Sequence, residues 1–204
     1  MSAAKDRVRI GLFGGSFDPI HTGHLILAED ALQAAALDWI VFLPAFSSPL
    51  RSREAETAPE NRLAMVRAAV TGFSSFEVDD FDLRQGRQVY TVETVRHYRE
   101  RYPAAELFFL IGFDQYQKLP QWHEVEELRR ELTFLCAARD EGGPLDPIPA
   151  GDLSDEKVIA LPPRRIDISA TEIRKRVATG QSIRSLVPGA VADLIESHSL
   201  YAGG

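Results

Sequence analysis

Residues 14–24, GGSFDPIHTGH, concentrate the chemistry-bearing side chains of this sequence. Two imidazoles, His21 and His24, stand three apart around Thr22 and Gly23. They follow Gly14, Gly15, Ser16 and Phe17 at the exit of an apolar run. Neutral imidazoles offer N–H donors, and small residues let a ligand approach the backbone or permit positive φ. Lying between a strand and a helix, the stretch reads as a phosphate site, because a helix N-terminus presents unsatisfied N–H groups and a positive dipole end. Two other phosphate loops are excluded by spacing: there is neither G-x-G-x-x-G nor G-x-x-x-x-G-K-[ST]. Without a P-loop lysine, the histidines are the available donors. The same residues also fit a tight turn capped by Asp18 or Thr22.

A second constellation is PPRRIDISATEIRKR, 162–176. Ser169 and Glu172 have capping-box spacing, which predicts a helix N-terminus at Ser169. Thr171 then sits in the first turn and Arg174 about a turn further on, with Arg164, Arg165, Lys175 and Arg176 nearby. Alone, this is an ordinary capped helix with a basic face. Paired with the first stretch, it suggests two helix starts gripping one polyphosphate.

The elements that must position these residues alternate. Strands are predicted at 8–13, 39–44, 75–78, 106–112, 132–138 and 157–162. Helices are predicted at 24–37, 59–72, 91–102 and 124–132. Several of the strands are apolar on both faces, which calls for a parallel sheet covered on both sides. The fold class is therefore α/β: a doubly wound, mostly parallel, Rossmann-like sheet with a small C-terminal helical part, and a ligand site off the carboxyl ends of the strands. Segments 46–60 and 139–156, rich in Pro, Gly and charge, read as loops.

The chain has 204 residues, 45% hydrophobic and 26% charged, with a net charge of −7. One domain over 1–204 is the expectation. The negative balance disfavours nucleic acid as a partner. No apolar run is long enough for a membrane span. The single cysteine, Cys136, forms no internal disulfide and suits a reducing cytoplasm. It reads as a small buried hydrophobe.

Together, GGSFDPIHTGH and ISATEIRKR resemble the nucleotidyltransferase superfamily, with its H-x-G-H loop and I-S-S/A-T-x-x-R helix start. Within it, YTVET (90–94), IGFDQYQKLPQW (111–122) and SIRSLVPGAVADLIESHSLY resemble the bacterial nicotinate-nucleotide adenylyltransferases. The resemblance implies adenylyl transfer from ATP, accompanied by Mg²⁺, to nicotinate mononucleotide. It also implies direct attack on the α-phosphorus with no covalent intermediate. By resemblance His21, His24 and Arg174 are catalytic. Gly14, Gly15, Ser16, Phe17, Gly23, Ser169, Thr171 and Arg51 would bind ATP. Thr91, Gly112, Asp114, Trp122 and His123 would receive the nicotinate nucleotide, with Trp122 stacking on the pyridine ring. Arg139 is a candidate for the adenine.

Each has a plainer reading: Trp122 as core packing, Asp114 as a cap of QYQKL, Thr91 as N-cap of the following helix. One departure stands out. Where the family carries Pro-Pro-His-Lys or Pro-Pro-His-Arg, this chain reads SSPLRS, so Leu50 replaces the histidine and Arg51 takes the basic place. An acceptor other than nicotinate mononucleotide, nicotinamide mononucleotide above all, and a non-catalytic nucleotide sensor stay open as alternatives. So does the oligomeric state, a homo-oligomer included.

Overall fold

The computed structural model describes residues 7–47, 56–137 and 157–203. Leu50, Arg51 and Arg139 lie outside the described residues. Six strands form one parallel sheet flanked by helices. In chain order they are β1 (Arg9–Gly15), β2 (Trp39–Pro44), β3 (Phe76–Val78), β4 (Glu106–Gly112), β5 (Leu132–Ala137) and β6 (Val158–Ala160). Their order across the sheet is β3-β2-β1-β4-β5-β6. The order reverses between β1 and β4, and at such a switch point the carboxyl end of β1 is where doubly wound sheets bind ligands. GGSFDPIHTGH begins at that end.

The helices are α1 (Thr22–Ala34), α2 (Pro59–Val70), α3 (Phe81–Arg84), α4 (Thr91–Arg101), α5 (Phe113–Tyr116), α6 (Val125–Glu131), α7 (Ala170–Ala178) and α8 (Gly189–Ser197). None of the described helices is long and apolar enough to cross a membrane. The predicted strands and long helices are all present, with ends displaced by up to about three residues. The first helix starts at Thr22 rather than His24, so both imidazoles belong to its entrance. Local chemistry explains other boundaries. Pro59 opens α2, its fixed φ suiting the first helical position, and Gly72 at φ 94° follows its end.

The described residues form two compact units interleaved along the chain. The first comprises 1–13, 28–41 and 90–165. Its centre is the apolar strands themselves. Leu107–Ile111 of β4 are all buried, pairing in parallel with β5 from Leu107 opposite Leu132 to Gly112 opposite Ala137. Phe109, Phe134 and Tyr116 meet edge to face. Gly11 in β1 is required by packing: a Cβ there would stand 2.7 Å from a methyl of Leu37.

The second unit comprises 14–27, 42–89 and 166–204. Phe42 and Leu43 of β2 are at most 1% exposed, each contributing roughly 1.5–3 kcal/mol on burial. Met65, Val66, Ala69 and Val70 line the buried stripe of α2, and α8 packs against that helix through buried Val191, Ala192 and Ile195. This unit carries both phosphate-binding candidates.

Candidate active site

In the second unit β1 runs straight through Gly14 and Gly15, and neither takes positive φ. The left-handed residue is Phe17, at φ 47°. That turn folds the Phe17 ring back over Gly15, where a Cβ would meet ring atoms at 3.0 Å. Gly15 is therefore small to admit Phe17. The ring lies edge-on to His24 at 5.1 Å and against Phe42. Gly23 likewise has no positive φ; a Cβ there would meet Ile166 at 2.8 Å and the His21 ring at 3.1 Å. Of the two expectations for these glycines, close ligand approach or positive φ, the second is corrected: none takes positive φ, and Gly15 and Gly23 make room for neighbouring side chains.

The two histidines build the start of α1. His21 is 8% exposed and precedes the first helical residue. Its backbone N–H donates to His24 Nδ1 at 3.2 Å, while the His24 N–H donates to the His21 carbonyl at 2.9 Å. The second bond of a capping box is present, with an imidazole in the place of glutamate, while the His21 carbonyl rather than a side chain accepts from the His24 N–H. Neither Asp18 nor Thr22 is therefore the cap. A backbone N–H is a fixed donor, so Nδ1 of His24 must be an acceptor and the proton of the neutral ring sits on Nε2. The rings stack at 3.7 Å.

The second constellation meets the first. Ser169 is the N-cap of α7, its Oγ accepting from the Glu172 N–H at 3.1 Å, as the spacing predicts. Ser169 and Thr171 are exposed at this helix start. Arg174 Nη1 donates to the backbone carbonyl of Asp18 at 2.8 Å, across 156 residues of sequence, and Nε pairs with Glu56 at 3.1 Å. The Arg174 side chain is 18% exposed. The other basic residues disperse. Arg176 turns to the Ser182 carbonyl and Glu172. Arg164, in the first unit, forks onto Asp30.

Two residues hold this loop: Asp18, which the sequence offered only as a cap, and Arg62, to which it gave no role. Asp18 is 5% exposed. Its Oδ2 accepts from the Glu56 N–H at 2.6 Å, and Oδ1 accepts from Thr57 Oγ1 at 2.6 Å and Tyr201 OH at 2.7 Å. Arg62 of α2 is 1% exposed. Nη1 donates to the carbonyls of Ser16 (2.8 Å) and Ala45 (2.7 Å), and Nη2 to that of Phe46 (3.2 Å). Burial pulls its pKa down, opposed by the field of Asp18, and the guanidinium stays charged. A signal for Arg62 existed: it lies three, four and seven residues before Met65, Val66 and Ala69, placing a charge on the apolar stripe.

The nicotinate candidates are in the first unit. Thr91 is the first residue of α4, not its cap; Tyr90 precedes it and donates its N–H to Glu93 at 2.9 Å. Gly112 caps α5, with Asp114 inside that helix and accepting from Gln115 at 3.1 Å, so Asp114 is not the cap either. Trp122 is half-buried, edge to face with Phe109 at 5.8 Å, and lines an open hollow with Val125, Glu127 and Arg130. The His123 ring lies 4.5 Å from that of Tyr90 and its Nε2 is 3.1 Å from Glu124. Arg96 clamps Glu124 and Glu127 from α4.

A parallel sheet with this order, with two candidate anion-binding helix starts, is an arrangement that nucleotide-handling α/β proteins use. Residues 12–176 match the cytidylyltransferase-like family. A protein of Gemmatimonas aurantiaca, named "Probable nicotinate-nucleotide adenylyltransferase", is 43% identical over 196 residues, covering 95% of this chain and 92% of that one. One of the same name from Exiguobacterium sibiricum is 42% identical over 195 residues, covering 96% and 100%. Among solved structures, "Plasmodium falciparum nicotinic acid mononucleotide adenylyltransferase complexed with NaAD" superposes with a TM-score of 0.80 over 96% of this chain and 98% of that one. At 21% identity that likeness speaks for the fold. The chain belongs to the cytidylyltransferase-like family, on the branch that holds the nicotinate-nucleotide adenylyltransferases.

Proposed function

We propose that this chain transfers the adenylyl group of ATP to nicotinate mononucleotide, giving deamido-NAD and pyrophosphate, a step of NAD biosynthesis. The observation that carries the reading is the Arg174 hydrogen bond to the Asp18 carbonyl, which joins the α7 start to the histidine loop at 2.8 Å. A guanidinium docked on the loop that carries two imidazoles suits a triphosphate. The names of the two bacterial relatives support the acceptor.

The reaction needs positioning and charge stabilisation more than a nucleophile. The acceptor's phosphate oxygen forms a bond to the α-phosphorus as the bond to the bridging oxygen of the β-phosphate breaks, and pyrophosphate leaves with the electron pair. His24, its Nδ1 committed to the His21 N–H, presents Nε2–H as a donor to phosphate oxygens. His21 binds phosphate beside it. Arg174 offsets charge accumulating on the pyrophosphate. Ser169, Thr171 and Arg51 bind phosphate oxygens, and the backbone of 14–17 lines the nucleotide. Thr91 and the His123 N–H receive the nicotinate carboxylate, Trp122 stacks on the pyridine ring, and Gly112 and Asp114 serve the ribose side.

Mg²⁺ counts with the substrate, as the chelate of ATP that neutralises phosphate charge. Among the described residues no three His, Cys, Asp or Glu gather to hold a metal of the protein's own.

The test is pyrophosphate release from ATP with nicotinate mononucleotide, nicotinamide mononucleotide, FMN and phosphopantetheine. Turnover with the nicotinate nucleotide should exceed that with the amide by tenfold or more, since the neutral amide loses the charge-assisted contact. A preference for the amide would remove the roles given to Thr91 and His123. Background release with every acceptor, despite ATP binding, would leave only a nucleotide sensor.

A further inference from the structure

The segment SIRSLVPGAVADLIESHSLY is drawn into no step of the reaction, yet its last residue reaches the loop that carries the histidines. After α8 the chain reverses. Leu200 N–H returns to the Ile195 carbonyl at 3.0 Å and Ser199 N–H to that of Glu196 at 3.1 Å. Ser199 and Tyr201 are both left-handed, at φ 50° and 60°. Side chains other than glycine rarely adopt that conformation, and two in three residues imply that something holds them there. What holds Tyr201 is Asp18, 183 residues away, whose Oδ1 accepts its hydroxyl at 2.7 Å.

Asp18 is the hub of a closed circuit. Its carbonyl accepts from Arg174 Nη1, its carboxylate accepts from the Glu56 N–H, and the Glu56 side chain pairs with Arg174 Nε. Both ends of the guanidinium are thus set by the position of Asp18 and of the residue Asp18 anchors. Among the described residues the buried carboxylate has three donors, and two of them, Thr57 and Tyr201, share Oδ1. Thr57 stands 39 positions from Asp18 and Tyr201 183 positions away. Three residues beyond Asp18 stands His21, the cap of α1.

We propose that Tyr201 is a positioning residue of the adenylyl-transfer site, its hydroxyl fixing Asp18 and through the Asp18 carbonyl the orientation of Arg174. The proposal rests on the function argued above. Tyr201 touches no reacting atom. Burial and the adjacent Asp18 carboxylate both raise its pKa, so the hydroxyl remains a donor throughout the working pH range.

The experiment compares wild type, Tyr201→Phe, Arg174→Lys and the double variant. Steady-state rates are read with ATP and nicotinate mononucleotide. The Arg174 Nε–Hε signal is read by ¹⁵N NMR without substrate and assigned by its loss in Arg174→Lys. Tyr201→Phe keeps the ring and removes one hydrogen bond to a buried charge. It should lower kcat about tenfold, with the KM for nicotinate mononucleotide changed less than twofold. In the Arg174→Lys background the same change should have little further effect, because the two act through one contact. The Arg174 signal should shift or broaden in Tyr201→Phe. An unchanged kcat, an equal loss in both backgrounds, or an unmoved Arg174 signal each overturns the proposal. A wild type inactive with every mononucleotide, but with an Arg174 signal that moves in Tyr201→Phe, refutes the functional reading and upholds the coupling.

Discussion

Replacing Arg62 by methionine removes a guanidinium and leaves three carbonyls, those of Ser16, Ala45 and Phe46, without their donor. Methionine fills comparable volume with apolar atoms, so the variant isolates the polar loss. Hydrogen bonds to a charged group are worth about 1.5–3 kcal/mol each, and the Phe46 contact at 3.2 Å is the weakest of the three. The gross loss is then roughly 4–8 kcal/mol, reduced because the variant no longer buries a charge. A net destabilisation of about 3–5 kcal/mol is expected, the range found when one partner of a buried ionic contact is removed. For a chain of 204 residues this lowers Tm by roughly 10 °C. Arg62→Lys, with a compact ammonium that cannot span three acceptors in a fork, should lie between. Urea melts followed by circular dichroism give the free energy. Steady-state kinetics should show a raised KM for ATP in both variants, since the Ser16 carbonyl belongs to the loop proposed to line the nucleotide. A loss below about 1 kcal/mol in Arg62→Met would refute the idea that this guanidinium pins the loops together.

Two further outcomes follow from the same geometry. His24→Asn keeps an acceptor for the His21 N–H but loses the Nε2 donor, whereas His24→Ala loses both. Both should lower kcat by about 10²-fold or more, while only the alanine variant should lose about 1 kcal/mol of stability; equal stabilities would show that the ring does not cap α1. Burial, with the Asp114 charge second, pushes the Cys136 thiol from its ordinary value near 9 up to about 12. The folded protein should resist iodoacetamide at pH 8 until denatured. Because the unfolded chain loses this proton first, stability should fall as pH rises from about 9 toward 12. Labelling at the rate of a free thiol would refute the burial argument.

The architecture was legible because the central strands advertise themselves. ELFFLIG and WIVFLP have no polar face, and only a sheet covered on both sides accommodates that. The cap at Ser169 was readable for the same local reason, its partner Glu172 being three residues away. The glycines were misread in part. Their small size was evident, but sequence alone could not say whether they make room for a ligand or, as at Gly15 and Gly23, for Phe17, Ile166 and the His21 ring. Thr91 and Asp114 were read as plausible caps and are not, because the chain enters those helices one or two residues earlier.

By itself, then, the sequence determined the α/β class, the two helix entrances and which residues stand at them as candidates for phosphate. All of these depend on neighbours within a few positions. Tertiary structure alone decided that Arg174 docks on the Asp18 carbonyl, that Arg62 ties three carbonyls together, and that Tyr201 ends its path on a carboxylate near the other end of the chain. Those contacts join residues from 16 to 183 positions apart. No periodicity or spacing encodes them, since the partners become neighbours only when burial of the apolar elements closes the chain around them.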